Sequence, residues 1–257
     1  MQFYDQLAAD YHLLFEDWQR TVRMQSELLD RIIREQLGDR SQSILDCCCG
    51  IGTQSIALAL RGHRVRGADI SASAVERARR EAVAAGVAIE FEVADVRMPR
   101  RNASASYDAV IACDNALPHI LSDEELLAAV RTMASELRPG GLFLATTRDY
   151  DTAIRERPSA TPVRVFSGPS GRRVVFQIWN WAEDSSKYGL TQFLLTESPG
   201  GWSTEHFKAE YRPLQREELS SILRQLGFVD IHWRMPQESG FYQPLVTARK
   251  HAASNAS

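Results

Sequence analysis

The stretch Ile44-Leu45-Asp46-Cys47-Cys48-Cys49-Gly50-Ile51-Gly52-Thr53 decides the fold expected of this chain. It joins a short apolar strand, predicted over Ser43–Cys47, to a Gly-x-Gly turn and a helix predicted over Thr53–Arg61. Glycines let the backbone approach a ligand closely, and the first turn of a helix offers backbone N–H groups that lack partners. A dinucleotide-binding turn would carry a third glycine where Ser55 stands, which disfavours a nicotinamide oxidoreductase.

Short apolar runs alternate with helical segments on the carboxyl side of this turn. Two capping patterns, Ser73-Ala74-Val75-Glu76 and Ser122-Asp123-Glu124-Glu125, predict helices that end at Gly86 and near Leu137. Pro139-Gly140-Gly141 predicts a turn before the last apolar run. The strands predicted between these features are Arg64–Ala68, Ile89–Val93, Tyr107–Ala112 and Leu142–Thr146. Strands separated by such helices predict a doubly wound, mostly parallel sheet with helices on both faces.

The two ends of the chain and one internal stretch depart from this alternation. Residues 3–37 have the apolar spacing of a helix, and Gly38 is its expected stop. Between Pro162 and Tyr211, β-rich runs are separated by turn sequences, which predicts an inserted antiparallel β meander. The aromatic residues Trp179, Trp181, Tyr188 and Phe193 are expected to share one packed face of this meander, and a substrate cage is the alternative. The predicted elements that follow are a helix over Gln215–Leu226 and strands over Val229–Arg234 and Gln243–Arg249.

Composition and charge exclude several classes of function. The 257 residues carry a net charge of −3, so the basic excess that favours binding to nucleic acid is missing. No apolar run approaches the length that spans a bilayer, and the N-terminus has no signal-peptide pattern. Cys47, Cys48 and Cys49 are adjacent in a predicted strand, where side chains alternate faces, so they do not converge on a metal. The expectation is a cytoplasmic protein without membrane, nucleic-acid or metal partners.

Carboxylates stand at the ends of the next two strands. Asp69 ends the second strand, where its carboxylate can accept hydrogen bonds from both hydroxyls of a ribose, and Asp95 follows the third strand, placed to accept from an adenine amino group. Together with the Gly-x-Gly turn and Pro139-Gly140-Gly141, these residues resemble the class I S-adenosylmethionine-dependent methyltransferase family over essentially the whole chain. The resemblance implies S-adenosyl-L-methionine as cofactor and a Rossmann-like, seven-stranded sheet whose last strand is antiparallel.

The resemblance also implies which residues bind the cofactor. Arg23 would pair with the methionine carboxylate of the cofactor, although a solvated helix face is an alternative explanation of this residue. Cys48 departs from the family, which often has glycine at this position. The full set of cofactor-binding residues expected from the family is Tyr11, Arg23, Asp46, Cys48, Gly50, Gly52, Asp69, Ile70, Asp95, Val96 and Cys113.

Three further stretches are similar to the glycine N-methyltransferase group within this family. They are the N-terminal segment Tyr4–Arg23, the loop Tyr107–His119 and the segment Thr147–Asp151. This similarity implies that Asn115 hydrogen-bonds the substrate near its reacting atom and that Arg148 binds a substrate carboxylate. A salt bridge from Arg148 to Asp149 or Asp151 is the alternative. His119 would act as a base or orient the substrate, unless it is a packed loop histidine.

The predicted function is transfer of a methyl group to a nitrogen of a small molecule (an amino acid, an amine or a heterocycle) by in-line displacement. An O- or C-methyltransferase of a secondary metabolite is the alternative, and a non-catalytic cofactor-binding regulator or a nicotinamide oxidoreductase is less favoured. The protein is expected to be a monomer or a homodimer. Four regions are expected: a helical lid (1–40), a cofactor-binding α/β core (41–150), an antiparallel β substrate lobe (151–212), and a C-terminal helix with the closing hairpin (213–250).

Overall fold

A computed structural model describes residues 2–99, 106–168 and 171–252 of the chain. Its strands are β1 (Ser43–Asp46), β2 (Arg64–Asp69), β3 (Glu90–Val93), β4 (Tyr107–Ala112), β5 (Leu137–Thr146), β6 (Arg164–Gly168), β7 (Gly171–Trp181), β8 (Tyr188–Ser198), β9 (Gly201–Tyr211), β10 (Phe228–Arg234) and β11 (Leu245–Lys250). Its α-helices are α1 (Gln2–Leu7), α2 (Trp18–Leu37), α3 (Thr53–Ala59), α4 (Ala72–Ala84), α5 (Asp123–Glu136), α6 (Tyr150–Glu156), α7 (Arg216–Gln225) and α8 (Pro236–Ser239). Short 3₁₀ helices cover Tyr11–Leu14 and Leu117–His119.

The larger of the two sheets confirms the predicted doubly wound fold. Its seven strands have the order β10-β11-β5-β4-β1-β2-β3, and β11 is antiparallel to both of its neighbours, whereas the other pairs are parallel. The chain runs from β1 outward to β3 and then returns to the other side of β1 with β4. Ligands of open α/β sheets bind at such a reversal of strand order, beyond the carboxyl ends of the strands.

The smaller sheet confirms the predicted antiparallel meander, with the strand order β6-β7-β8-β9. Trp179 stacks on Tyr188, and Tyr188 on Tyr211, on one face of this sheet. Phe193 was expected on the same face but lies on the opposite one, where it stacks on Phe176 with ring centroids 4.9 Å apart. The reason is that Phe193 lies five positions after Tyr188 along β8, and side chains an odd number of positions apart on a strand point to opposite faces.

Three predicted element boundaries were wrong. The N-cap of α4 is Ser71 rather than Ser73, because the Ser71 hydroxyl accepts the Ala74 N–H at 3.1 Å. The predicted helix over residues 3–37 is interrupted, since Asp17 caps a separate α2 by accepting from the Arg20 N–H. Strand β5 begins before Pro139-Gly140-Gly141, and its register with β4 shifts there instead of breaking at a turn.

The core lies on both faces of the large sheet. Helix α2 buries Leu29, Ile32 and Ile33 against one face, and α5 buries Leu126, Val130 and Met133 against the other. The tyrosine and tryptophan face of the small sheet joins the α5 side of this core. Packing from two sides fixes the carboxyl ends of the central strands, where the candidate site is found. In the described ranges, no helix has the length and apolar character needed to cross a membrane.

Candidate active site

A cavity of about 590 Å³ lies beyond the carboxyl ends of the central strands. The turn after β1, the end of β2, the segment after β3 and the loop after β4 form its floor. The N-terminal segment and strand β9 contribute its remaining walls through residues that include Tyr4 and Lys208. The predicted site residues that line the cavity are Tyr11, Cys48, Gly50, Asp69, Ile70, Asp95, Val96, Cys113 and His119.

Asp69 ties two of the loops around the cavity together. Its carboxylate accepts the backbone N–H of Gly50 at 2.8 Å and that of Ser71 at 2.9 Å. Burial raises the pKa of Asp69, and these two hydrogen bonds oppose the increase. A carboxylate has about four acceptor sites, so two remain for a pair of ligand hydroxyls.

The glycines of the turn have two different tasks. Gly50 has a φ of +52°, and a Cβ added there would meet no protein atom within 4 Å, so its backbone leaves open space beside the cavity. A Cβ added to Gly52 would lie 3.2–3.4 Å from Ile56, Ala78 and Phe91, so this glycine allows close packing of α3. The missing side chain of Gly50 therefore leaves space for a ligand, whereas that of Gly52 allows α3 to pack closely on its neighbours.

Asp95 is held in an ion pair with a residue that the sequence pattern did not indicate. The Arg97 guanidinium donates to both carboxylate oxygens of Asp95 at 2.7–3.1 Å and reaches Glu125 at 2.6 Å. These hydrogen bonds from Arg97 lower the pKa of Asp95. Asp95 is thus ionised and fixed in orientation at the edge of the cavity near β3, where it can accept a hydrogen bond from a ligand.

His119 lies in an aromatic contact that closes the opposite side of the cavity. Its Nε2 forms a 2.9 Å hydrogen bond with the Tyr4 hydroxyl, and its ring centroid lies 4.0 Å from that of Tyr211. Burial, with a further contribution from the Arg148 charge, lowers the pKa of His119 to about 3. The imidazole is therefore neutral at physiological pH and is a weak base.

Asn115 and Arg148 join the loop after β4 to the segment after β5. The Asn115 amide donates to the Tyr150 hydroxyl at 3.0 Å and accepts the Arg148 backbone N–H at 3.0 Å. The Arg148 guanidinium donates to the Tyr188 hydroxyl at 2.6 Å and to Gln177 Oε1 at 3.1 Å. It also lies 4.8 Å from the Trp179 ring centroid and 5.3 Å from that of Tyr211.

Comparison with known families identifies this architecture. A family model described as "Methyltransferase domain" matches residues 44–141, which contain the Gly-x-Gly turn, Asp69 and Asp95. The matched part of the chain is similar to this methyltransferase domain, and together with the sheet order it supports a class I, S-adenosylmethionine-dependent methyltransferase. The sheet and the match confirm the predicted fold and support the predicted cofactor.

Individual relatives of this methyltransferase differ in the atom that they methylate. A glycine/sarcosine N-methyltransferase from Parasynechococcus marenigrum is 27% identical over 138 residues, which cover 54% of this chain and 48% of that relative. A ubiquinone biosynthesis O-methyltransferase from Methylocella silvestris is 36% identical over 104 residues, covering 40% of this chain and 39% of the relative. Each match thus spans less than half of the relative's own length. The crystal structure of a sugar N-methyltransferase from Streptoalloteichus sp. has the same fold, with a TM-score of 0.72, 18% identity, and coverage of 88% of this chain and 87% of that one.

The groups around the cavity fit S-adenosylmethionine. The remaining acceptor sites of Asp69 suit the two ribose hydroxyls. Asp95 and Val96 follow β3, the strand next to β2, where they would contact the adenine of the same nucleoside. Gly50 also lines the cavity, and because it carries no side chain it leaves open space for a ligand beside these carboxylates. These residues of the methyltransferase would therefore hold the nucleoside part of the cofactor.

Five predicted site residues are not among the residues that line the cavity. Arg23 is exposed on α2, and Asp46 is fully buried with its carboxylate accepting the Ser55 hydroxyl at 2.8 Å. Gly52, Asn115 and Arg148 are the other three. Their roles in binding stay predictions.

Other residues line the cavity without having been predicted. The polar ones include Thr53, Gln54, Arg97 and Asp114, and Lys208 and Glu210 extend from β9. Asp114 could have been found, because it immediately precedes Asn115 in the loop after β4. The residues of β9 could not, since no motif identifies which strand of the meander faces the cofactor.

Proposed function

We propose that this methyltransferase transfers a methyl group from S-adenosylmethionine to a nitrogen of a small molecule, and that an amine carrying a carboxylate is its preferred acceptor. The observation that carries the proposal is the half-buried guanidinium of Arg148. Among the described residues, its side-chain partners are the neutral groups of Tyr188, Gln177, Trp179 and Tyr211. A half-buried cation whose hydrogen-bond and ring partners are neutral groups favours the binding of an anion.

The acids nearest to Arg148 in sequence are not available as its counterions. Asp149 and Asp151 both form ion pairs of 3.0 Å with Arg216 of α7. The hydrogen bonds to Tyr188 and Gln177 use two of the five guanidinium N–H groups and fix the plane of the guanidinium. The remaining N–H groups are suited to a bidentate contact with a carboxylate.

The position of Arg148 relative to the cavity supports the same acceptor. Its guanidinium lies 5.3 Å from the centroid of the Tyr211 ring, and His119, which lines the cavity, contacts the same ring. An amine whose carboxylate reaches Arg148 would then place its nitrogen near His119 and the loop after β4. This arrangement supports an amino acid or a related amine ahead of a heterocycle.

The low pKa of His119 favours nitrogen over oxygen as the acceptor atom. A hydroxyl nucleophile needs a general base whose pKa is near the working pH, whereas His119 has a pKa of about 3. An amine needs only to be neutral, and a desolvating pocket favours the neutral form because burial disfavours the ammonium. The ubiquinone biosynthesis O-methyltransferase keeps the O-methyltransferase alternative open to test, since it is 36% identical to this chain over 104 residues.

The chemistry required of the protein is mainly alignment. The bound cofactor supplies a methyl group on a positively charged sulfur, so no acid is needed to assist its departure. Residues of this chain would orient the nucleophile and exclude water, an effect that contributes about 7–11 kcal/mol at most in well-oriented reactions. His119 and Tyr4 would form the wall against which the acceptor is positioned.

Methylation assays with an arginine variant test the proposal. Glycine, sarcosine, an amine without a carboxylate and a phenol are offered to wild type, Arg148→Gln and the matched control Arg155→Gln, whose side chain is exposed on α6. We expect N-methylated products, with KM for carboxylate-bearing acceptors about 100-fold higher in Arg148→Gln and unchanged in Arg155→Gln, because a charged hydrogen-bond pair is lost. Exclusive O-methylation, or equal KM values for the two variants, would contradict it.

The remaining expectations about partners are proposals as well. The net charge of −3 supports a small molecule over a nucleic acid as the acceptor. We also propose a cytoplasmic location, and a monomer or homodimer as the working assembly. Size-exclusion chromatography with light scattering tests the assembly state, and a mass of a tetramer or larger would contradict it.

A further inference from the structure

The two faces of the antiparallel sheet β6–β9 differ in burial. On one face, side chains such as Trp179, Tyr188 and Leu190 are buried in the core. The opposite face, which we call the outer face, consists of partly or fully exposed side chains. Its apolar residues come from all four strands and are Val165, Val174, Phe176, Ile178, Phe193, Leu195 and Trp202. In the described part of the chain, none of these seven residues belongs to a buried apolar cluster.

Aromatic rings occupy the centre of the outer face. Phe176 is the sixth of the eleven residues of β7, and Phe193 is the sixth of the eleven residues of β8. Their rings stack with centroids 4.9 Å apart and an angle of 8° between the ring planes. His206 of β9 continues this row, with its ring centroid 6.0 Å from that of Phe193. Aromatic residues are enriched at the buried centres of protein–protein interfaces.

Charged residues of both signs lie at the two ends of the outer face. At one end, Arg172 forms an ion pair of 2.8 Å with Glu197 and lies over the Trp202 ring. At the other end, Glu210 forms an ion pair of 3.0 Å with Lys187. Because these charges are paired, neither end offers the excess of positive charge that an anionic membrane attracts. An apolar centre with a polar rim is the usual composition of a protein–protein interface.

The outer face has the area that a stable dimer needs. Strands β7, β8 and β9 have eleven residues each, which gives a length of about 37 Å at about 3.4 Å per residue. With a strand spacing of about 4.8 Å, these strands and the shorter β6 cover roughly 600 Å². Two such faces in contact bury about 1,200 Å², which lies at the lower end of the range for stable complexes. Exposed apolar patches of several hundred Å² mark interaction sites.

We propose that the outer face is the interface of a homodimer, in which the sheets of two copies pack face to face around the stacked rings of Phe176 and Phe193. A dimer with two-fold symmetry requires a surface that is complementary to itself. The outer face meets this requirement, because its aromatic centre lies midway along β7 and β8 and each of its ends carries a cation and a carboxylate. Sheets that pack in this way lie about 10 Å apart, with their strands within about 30° of each other. The inference is independent of the methyl acceptor.

The proposed interface borders the candidate active site. Lys208 and Glu210 of β9 line the cavity. They lie two and four positions after His206, so their side chains point to the same side of the sheet as the aromatic row. A second copy on the outer face therefore packs against the strand that forms one wall of the cavity.

The mass of the protein in solution tests the interface. Size-exclusion chromatography with light scattering compares wild type, Phe193→Glu, Ile178→Glu and the matched control Val83→Glu over a wide range of protein concentration. Val83 is 80% exposed on α4, away from the sheet. We expect twice the mass of one chain for wild type and Val83→Glu. The dissociation constant of the dimer should be about 100-fold higher in Phe193→Glu and Ile178→Glu, because each variant buries a charge without a partner.

Thermal unfolding of each variant separates a loss of assembly from a loss of folding. Ile178 is already 38% exposed, so Ile178→Glu tests the face even where Phe193→Glu does not fold. A monomeric wild type at the highest concentration, or a dimer of unchanged affinity in both outer-face variants, would overturn the proposal. Monomeric wild type that sediments with anionic phospholipid vesicles, when Phe193→Glu does not, would overturn it as well, because the face would then bind a membrane.

Discussion

The buried carboxylate of Asp46 predicts a specific dependence of stability on pH. Asp46 ends β1, has no exposed surface, and accepts the Ser55 hydroxyl. Burial raises its pKa from 3.8 to about 7, so the folded protein binds this proton more tightly than the unfolded chain does. The free energy of unfolding therefore falls as pH rises from about 4 to about 7, because the native state holds the proton that the unfolded state has lost.

The magnitude follows from the size of the pKa change. One pKa unit corresponds to about 1.36 kcal/mol, so the increase at Asp46 costs the folded state about 4 kcal/mol at pH values above both pKa values. Asp46→Asn is neutral at every pH and lacks this cost. We expect its free energy of unfolding, relative to wild type, to increase by about 4 kcal/mol between about pH 4 and pH 8.

Urea unfolding followed by tryptophan fluorescence measures this difference at several pH values, because titrations common to both proteins cancel in the comparison. Ser55→Ala serves as a control: it removes a hydrogen bond that lowers the pKa of Asp46, so the decrease in stability with pH should be steeper than in wild type. A difference between wild type and Asp46→Asn that does not change with pH would refute the reasoning.

Three further substitutions test other parts of the site. Gly50→Ala should lower stability by about 1 kcal/mol, because alanine disfavours a φ of +52°, and should weaken S-adenosylhomocysteine binding; an unchanged Tm and affinity would contradict this. Trp18→Phe removes the indole N–H that donates to the Thr53 hydroxyl at 3.0 Å, and should cost about 1 kcal/mol in urea unfolding, whereas no loss would show that this bond contributes nothing. His119→Asn should change kcat by the same factor at every pH between about 5.5 and 8, because the imidazole is neutral throughout; a factor that changes near pH 6.5 would identify a titrating base.

Local sequence patterns were sufficient to predict the architecture of the core. The strand before Gly50, the Gly-x-Gly turn and the carboxylates at strand ends each depend on neighbours within a few residues, so their positions along the chain determine their positions at the sheet edge. Asp69 shows this best, because the end of β2 places its carboxylate beside the turn that binds it.

Partners that are distant in sequence could not be predicted in this way. Arg148 has two acids within three residues, yet both pair with Arg216 of α7, and the guanidinium instead contacts Tyr188 and Gln177 of the inserted sheet. Only the packing of that sheet on the core decides between these partners.

The most direct test of the central claim is calorimetric binding of S-adenosylmethionine, S-adenosylhomocysteine and NADH to wild type, Asp69→Ala and the exposed control Asp39→Ala. We predict that wild type and Asp39→Ala bind both adenosyl ligands and not NADH, and that Asp69→Ala binds them roughly 100-fold more weakly, because the carboxylate that accepts the ribose hydroxyls is lost. Tight binding of NADH without binding of either adenosyl ligand would contradict the assignment of this site to S-adenosylmethionine.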